Sequence, residues 1–248
     1  SLIIGKTTMG KGLLDAEGQS FEGQTSTHGQ PVSKAGASVE KTILNLDGDP
    51  NDPFAIFDDV KQFWKNVNEN KIKNAQKRKA EQAEWEKKNP ELAKKLAQFL
   101  SGNIPADIDF ASIEQKPNVA TRVASRTVLG YFAEHIENMI CSSADLSNSD
   151  NTDGFLKKTQ DITKDDFSGK FLEAGVAELT MASIMNGIVL HGGLFTACGT
   201  FFVFSEYMKP AMRMSALMEL PVKYVWSHDA FRAGEDGPTH QPLEQDAQ

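Results

Sequence analysis

Two histidines and several carboxylates are concentrated between Ser227 and His240, in a stretch that could transfer protons. SHDAFRAGEDGPTH places its titratable side chains within fourteen positions: His228, Asp229, Glu235, Asp236 and His240. Histidine changes its charge near neutral pH, so a histidine beside a carboxylate can move a proton to or from a hydroxyl group. A metal site is a second interpretation, but zinc is not favoured because the stretch has no thiol and no helical pair of histidines four residues apart. A polar loop without chemical function is the third.

The segment IIGKTTMGKG, Ile3 to Gly12, has the glycine spacing of a phosphate-binding P-loop. A P-loop also needs a serine or threonine hydroxyl for Mg²⁺ where this chain has Gly12, and a helix directly after it. The residues that follow, GLLDAEGQS, are polar and rich in glycine instead. The chemistry of a P-loop is therefore missing, and a nucleotide-binding module with a charged helical arm is kept only as an alternative class.

Glu178 and three aromatic residues are further candidates for a site. Glu178 begins an apolar helix, and a carboxylate in a first helical turn ordinarily only balances the helix dipole. Phe201, Phe204 and Tyr207 lie in a predicted strand end. On pattern alone, core packing is favoured for these rings over a ring-binding pocket.

The composition excludes several classes of protein. With 248 residues, 40% of them hydrophobic and 24% charged, the chain has the composition of a soluble globular protein. Its net charge of −8 argues against general nucleic-acid binding, and the basic run Lys71–Lys79 is interpreted as a solvated helix face. Cys141 and Cys198 match no metal-ligand spacing, which favours a reducing cytoplasm. No apolar stretch reaches the ~20 residues that span a bilayer.

Three successive regions are predicted to position these candidates. Residues 1–53 contain a short strand at Ser1–Lys6 and then glycine-rich loops, whereas residues 54–116 are mainly charged helices with a break at Asn89-Pro90. From residue 117 to 248 helices alternate with strands, the strands being predicted at NMICSSADL, which runs into a polar turn, and at FLEAGV, TFFVFS and PVKYVWSH. This alternation predicts an α/β fold, a parallel sheet with helices on both faces. Ligands in such a fold bind at the loops after the carboxyl ends of the strands.

Several blocks of the sequence resemble the transketolase family of thiamine diphosphate enzymes, in the family's own order. They are ATRVASRTVL, SSADLSNSD, GVAELTMASIMNGIVLHGG, GTFFVFSEYMKPAMR and YVWSHDAFRAGEDGPTHQPLEQ. In addition, IIGKTTMGKG resembles a segment near the end of the family's diphosphate-binding domain, THGQP its histidine loop, and WEKKNPELAKKL a helical block before the second domain. The resemblance implies that residues 1–53 are the tail of the diphosphate-binding domain, residues 54–116 a helical connector, and residues 117–248 a truncated pyrimidine-binding domain.

The resemblance implies a set of residues that contact the cofactor, thiamine diphosphate. Glu178 would hydrogen-bond a ring nitrogen of the aminopyrimidine and favour the imino tautomer that deprotonates the thiazolium carbon. Met9 would lie against the thiamine. The pyrimidine ring would be held by Asp145, Phe201, Phe204 and Tyr207.

A second implied set binds the sugar phosphate substrate. His28 and His228 would flank the reacting carbon and assist proton transfers, and Asp236 would hold a sugar hydroxyl. The phosphate would be bound by Arg122, Ser149 and His240, because arginine can grip phosphate oxygens with two hydrogen bonds.

The chain departs from the family pattern at several places. Ala177 and Leu179 stand where the family usually has arginine and histidine around the glutamate, so altered packing or subunit contacts are expected there. The loop between Met9 and His28 is longer than expected. The family's metal-binding G-D-G…N motif would lie before Ser1, so no metal ligand is expected in this chain, although Mg²⁺ or Ca²⁺ is implied as a cofactor.

The resemblance predicts a piece of a longer cytoplasmic enzyme of the pentose phosphate pathway. The whole enzyme would be a homodimer that moves a two-carbon ketol unit from a ketose phosphate to an aldose phosphate, through a carbanion/enamine adduct on the cofactor. Its active site would form between subunits, one supplying Glu178 and the other binding the diphosphate. An enzyme similar to deoxyxylulose-phosphate synthase is the related alternative. The 248 residues alone are expected to be inactive.

Overall fold

The computed structural model describes residues 3–229 and 236–242 and divides into two compact units, Ser1–Glu84 and Trp85–Gln248. Three short 3₁₀ helices, Thr25–Thr27, Phe110–Ser112 and Phe202–Phe204, supplement the longer elements. In the described part of the chain, every helix is too short or too polar to cross a membrane.

Residues 3–57 of the first unit consist mainly of loops that are tied to one short helix, α1 (Val39–Asn45). The side chain of Ser38 caps this helix by accepting a hydrogen bond from the backbone N–H of Lys41. Asn45 donates to the carbonyl of Gly12 at 3.0 Å, and the hydroxyl of Thr42 accepts from the N–H of Leu14 at 3.2 Å. These two side chains therefore fix the backbone of the glycine-rich loop, which has no regular secondary structure of its own.

The predicted strand at Ser1–Lys6 is wrong for the residues that the structure describes. Residues 3–6 have irregular backbone and are exposed, with Ile3 91% and Ile4 81% accessible, whereas Ser1 and Leu2 lie outside the described residues. A strand needs a hydrogen-bonded neighbour and a buried face. The described part of the chain offers this segment neither.

Two helices follow, α2 (Asp58–Lys88) and α3 (Pro90–Leu100). The predicted break is confirmed, because α2 ends one residue before Asn89 and α3 begins at Pro90. Proline is well tolerated at the first helical position, since the N–H that it lacks would have no partner inside the helix.

The second unit contains a four-stranded, entirely parallel sheet in the order β2-β1-β3-β4. Its strands and helices occur along the chain as α4 (Thr121–His135), β1 (Met139–Ser143), α5 (Ser147–Asp150), α6 (Asp153–Leu156), β2 (Phe171–Glu173), α7 (Glu178–His191), β3 (Phe195–Thr200), α8 (Ser205–Leu217) and β4 (Lys223–Trp226).

Neighbouring residues of the central strands point to opposite faces of this sheet, and helices cover both. Cys141 and Ala197 are register partners and belong to one apolar cluster, with Leu129 of α4 and Phe155 of α6. The next residue of β3, Cys198, belongs to the other cluster, which α7 and α8 supply with Met181, Ala182, Met185, Met208 and Ala211. The predicted α/β fold with helices on both faces is therefore confirmed.

The third predicted strand, TFFVFS, is wrong in position. β3 ends at Thr200, whose register partner is Trp226, and Phe202–Phe204 forms a 3₁₀ helix instead. The true strand FTACGT is rich in small and polar residues, yet Thr196 to Thr200 are buried. A central strand has neighbours on both sides that satisfy its backbone groups, whereas the hydroxyls of Thr196 and Thr200 are buried without a hydrogen-bond partner among the described residues.

Two glycines let α4 and α6 approach closely on one face of the sheet. A Cβ on Gly154 would lie 2.2 Å from the carbonyl oxygen of Arg126, and one on Gly130 would lie 3.1 Å from the carbonyl oxygen of Gly154. This approach brings Asp153 to the guanidinium of Arg126, whose Nε donates to Oδ1 at 2.6 Å. The second hydrogen bond, from Nη2 to Oδ2, makes the pair bidentate.

Candidate active site

A pocket of about 660 Å³ lies at the carboxyl ends of the four strands. Each strand contributes to it through the loop that follows it, as expected of a parallel sheet. Its lining residues are Ala144, Asp145, Leu146 and Ser149 after β1, Val176 and Glu178 after β2, Phe201, Phe204 and Tyr207 after β3, and Asp236 and His240 after β4.

Glu178 is the buried carboxylate of this pocket. It is the first residue of α7 and is 6% exposed. Its carboxylate makes no hydrogen bond or ion pair with another described residue. Glu178 lines the pocket, so a ligand bound there can give this carboxylate the hydrogen-bond partner that it lacks. The interpretation of Glu178 as a helix-dipole residue alone does not explain its position.

Three aromatic rings form a stack along one wall of the pocket. Phe201 and Phe204 have ring centroids 5.6 Å apart with planes at 19°, and Phe204 and Tyr207 have centroids 6.1 Å apart with planes at 15°. The three rings are three residues apart along the 3₁₀ helix and the start of α8, and this spacing places them side by side. The sequence pattern favoured core packing for these rings. All three line the pocket, so core packing is not their only role.

The loop after β1 is held by a buried polar cluster around Asp150. The carboxylate accepts hydrogen bonds from Ser143 Oγ at 2.8 Å and from both the backbone N–H and the hydroxyl of Thr152 at 2.7 Å. Burial raises the pKa of Asp150, although these hydrogen bonds oppose it. The same loop carries Asp145 in the left-handed conformation, with φ of 65°. A non-glycine residue in that conformation is uncommon and is typical of a functional loop.

His228 lies at the centre of a polar network beside the pocket. Its Nδ1 is 3.0 Å from Arg122 Nη1 and 3.2 Å from Ser227 Oγ, while its Nε2 is 3.8 Å from Asp236 Oδ2. Arg122 Nη1 also donates to the carbonyl of Ser149 at 3.2 Å. Burial and the charge of Arg122 lower the pKa of His228 against the opposing effect of Asp236. The structure thus brings together four residues of the predicted substrate set.

His240, the fifth of that set in this unit, lines the pocket itself. Its ring meets Phe204 edge-on, with centroids 5.3 Å apart and planes at 82°. Asp236 and His240 therefore reach the same pocket as Glu178. Glu235 of the same predicted stretch lies outside the described residues.

Met9 and His28 belong to the first unit. Met9 is 40% exposed, and its carbonyl accepts a hydrogen bond from Gly23 N–H at 2.8 Å. His28 is exposed and directly follows the 3₁₀ helix Thr25–Thr27. Their predicted contacts with cofactor and substrate remain predictions.

Sequence reasoning missed the part of Asp150 and Thr152 in holding the loop, and it missed Val176 in the pocket wall. Asp150 and Thr152 are 1% and 0% exposed, which polar residues in a loop sequence do not reveal. The one available signal was the run of short hydrogen-bonding side chains after a buried strand. In the described ranges 3–229 and 236–242, no group of three histidine, cysteine or acidic side chains is arranged to hold a metal ion.

A parallel sheet whose strand-end loops enclose a buried carboxylate and a stack of aromatic rings defines a ligand-binding α/β domain. The family model of the transketolase pyrimidine binding domain matches residues 117–247, and that of the transketolase thiamine diphosphate binding domain matches residues 1–105. The chain therefore belongs to the transketolase family. The resemblance in the sequence is confirmed, and so is the thiamine diphosphate cofactor class.

Named relatives agree with this assignment. The chain is 38% identical over 249 residues to the transketolase of Bacillus subtilis and 36% identical over 247 residues to that of Halalkalibacterium halodurans, covering 99% of this chain and 36% of each relative. The transketolase of Leishmania mexicana is similar in structure, with a TM-score of 0.77, 29% identity and coverage of 97% of this chain and 35% of the other. A Pichia stipitis transketolase solved with sedoheptulose-7-phosphate gives a TM-score of 0.77 at 33% identity, with the same coverage. The chain thus spans about a third of the length of these relatives.

Proposed function

We propose that this chain is part of a transketolase, which moves a two-carbon ketol unit from a ketose phosphate to an aldose phosphate in the pentose phosphate pathway of the cytoplasm. The observation that carries the proposal is the buried carboxylate of Glu178, which faces a pocket walled by stacked rings and has no partner among the described residues. Bound thiamine diphosphate supplies the nucleophilic carbon that accepts the ketol unit.

The residues of the pocket fit an aminopyrimidine ring. A planar heteroaromatic ring stacks well on Phe201 and Phe204, whose own planes are nearly parallel. A ring nitrogen beside Glu178 would give this carboxyl the hydrogen-bond partner that it lacks, and the shared proton would draw electron density from the ring and favour its imino tautomer. Asp145, on the neighbouring loop, would meet the same ring.

The network around His228 fits the reacting part of a sugar phosphate. His228 would hold or accept a proton at the substrate hydroxyl, and Asp236 would orient that hydroxyl. Arg122, Ser149 and His240 would bind the phosphate. Met9 would contact the thiamine, and His28 would assist proton transfer beside His228.

A homodimer would complete the active site, with Mg²⁺ or Ca²⁺ and the diphosphate held by residues outside this chain. Apolar and aromatic side chains at the pocket support a second subunit there, because Val176 is 79% and Tyr207 61% exposed. Leu179, in the first turn of α7, is 46% exposed where the family usually has histidine. Such apolar groups at a pocket are typical of an interface.

Calorimetry on the full-length protein tests the proposal. Thiamine diphosphate with Mg²⁺ should bind and support ketol transfer between sugar phosphates. Binding of ATP with no response to thiamine diphosphate would overturn it. Thiamine diphosphate binding and turnover with pyruvate and an aldehyde phosphate, but not with a ketose phosphate donor, would instead favour an enzyme similar to deoxyxylulose-phosphate synthase.

A further inference from the structure

We propose that Glu22 is a positioning residue: its carboxylate fixes the turn Met9–Leu13 and thereby the place of the Met9 side chain against the thiamine. This inference rests on the proposed function, because the contact of Met9 with the cofactor is part of that proposal. It assigns a task to the loop between Met9 and His28, which is longer than the family resemblance implies.

The turn Met9–Leu13 depends on groups outside it for its conformation. Gly10 and Gly12 both have left-handed backbone, with φ of 67° and 78°. A backbone hydrogen bond from Leu13 N–H to the Gly10 carbonyl, 3.0 Å long, closes the turn. Glycine adopts left-handed backbone without strain, but it also adopts many other conformations equally well. Contacts from other segments must therefore select the observed conformation.

A second segment of the loop, Phe21–Gly23, runs across this turn. Its first residue donates its N–H to the Leu13 carbonyl at 2.9 Å, and its last residue donates to the Met9 carbonyl at 2.8 Å. One backbone hydrogen bond is thus made at each end of the turn. Glu22 lies between these two bonds, and its side chain reaches the middle of the turn.

Glu22 binds the buried backbone of Gly12. Its Oε1 accepts a hydrogen bond from Gly12 N–H at 2.9 Å, and Asn45 donates to the Gly12 carbonyl at 3.0 Å. Buried backbone groups need hydrogen-bond partners, and side chains supply both of them here in place of a helix or strand. On the side of α1 there is no space for movement, because a Cβ on Gly12 would lie 2.5 Å from Leu46 Cδ2.

The charge of Glu22 strengthens its contact with the turn. The hydrogen bond from Gly12 N–H, and then that from Lys11, lower the pKa of the Glu22 carboxyl against the opposing effect of burial. Lys11 Nζ lies 3.2 Å from Oε1. An ionised acceptor makes a stronger hydrogen bond than a neutral one, so the carboxylate restrains the turn more firmly than an amide would. Met9, two residues before Lys11, is 40% exposed and accessible to a cofactor.

A double-mutant cycle on the full-length protein tests this role, with thiamine diphosphate and saturating Mg²⁺ as the probe and calorimetry as the readout. Glu22→Ala should weaken thiamine diphosphate binding by about tenfold, because the turn no longer holds Met9 in place. Met9→Ala should also weaken binding. In the double variant, removal of Glu22 should weaken binding by only about twofold or less, since no Met9 contact is left to lose.

Two further measurements separate positioning from a general structural effect. Amide hydrogen exchange at Gly12 should be faster in Glu22→Ala than in wild type, while circular dichroism stays unchanged. Glu17→Ala, which removes an exposed carboxylate of the same loop, should keep wild-type binding and exchange.

Three results would overturn the proposal: wild-type affinity in either single variant, an equal effect of removing Glu22 with and without Met9, or an unchanged exchange rate at Gly12 in Glu22→Ala. Failure of the wild-type protein to bind thiamine diphosphate would overturn the proposed function as well, so the two failures are distinguishable.

Discussion

Asp150 lies directly against Gly199, because its Oδ2 is 3.1 Å from the point that a Cβ on this glycine would occupy. The methyl group of Thr152 is closer still, at 2.4 Å from that point. The loop after β1 is thus packed onto the end of β3 with no space for a methyl group. Because Gly199 has no side chain, the buried polar cluster around Asp150 can pack against the ends of both β1 and β3.

Gly199→Ala should destabilise the protein by about 1–3 kcal/mol, because overpacking forces the Asp150 loop away from the strand. Urea unfolding of the full-length protein measures the change. Gly187→Ala is the matched control, since a Cβ there would meet nothing within 4 Å and alanine favours the helix that contains it. Equal unfolding midpoints for the two variants would show that the close contact at Gly199 has no energetic consequence.

Asp150→Asn should alter the pH dependence of stability. Burial raises the pKa of Asp150 above its unfolded value, so the wild-type carboxyl favours folding at low pH and loses that contribution as pH rises through the folded pKa. An asparagine keeps the shape without the charge. We therefore expect the stability of the variant relative to wild type to increase between pH 4 and pH 8.

Chemical unfolding at several pH values measures this trend, with the exposed Asp165→Asn as control. A stability difference between Asp150→Asn and wild type that does not change with pH would contradict the prediction.

Arg126→Gln should cost about 1 kcal/mol at neutral pH, a figure that allows for solvent screening of a pair in which Arg126 is 35% exposed. Burial by itself would raise the pKa of Asp153, but hydrogen bonds from Arg126 and Lys157 outweigh it and leave the pKa lowered. The pair therefore stabilises the fold above the unfolded pKa of the carboxyl, and this contribution is lost as pH falls through the folded pKa.

Thermal unfolding of Arg126→Gln at neutral and acidic pH measures this dependence, with Arg213→Gln as the control. The destabilisation should shrink in acid. A penalty that grew on acidification would mean that the ion pair is not its source.

Glu178→Gln should reduce ketol transfer by about 10²-fold or more, because the amide cannot share a proton with the cofactor ring as a carboxyl does. The fold and the proposed dimer should be intact, since Glu178 has no partner among the described residues whose loss would loosen the helix. Steady-state kinetics and sedimentation measure the two properties. Glu114→Gln, at an exposed position, is the matched control and should retain full activity. Wild-type turnover in Glu178→Gln would remove this residue from its proposed role.

The sequence was a good guide to the sheet because β1 and β4 have compact apolar patterns bounded by polar turns. It misled at β3, where FTACGT does not look like a buried strand and the aromatic run after it does. Strand identity there is decided by pairing with β1 and β4, which is tertiary information that a local pattern does not carry.

The residues of the site were predicted more completely than their interactions. The family motifs pointed to Arg122 and His228 separately, but they are 106 positions apart in sequence, and nothing local indicates that one donates to the other. The burial of Asp150 was likewise invisible, because it depends on a glycine in a different strand. Motifs thus identify functional side chains, whereas hydrogen bonds between distant segments emerge only from the fold.

Cys141 and Cys198 lie on adjacent strands but face opposite layers of the sheet. Both are free and fully buried; burial raises the pKa of Cys141 well above its usual range and that of Cys198 to about 12. Neither thiol can react quickly with an alkylating reagent while the fold is closed. In single-cysteine variants, the labelling rate of each thiol would therefore report how often the helices on its own face of the sheet open locally. The two thiols are thus separate probes of local opening on the two faces.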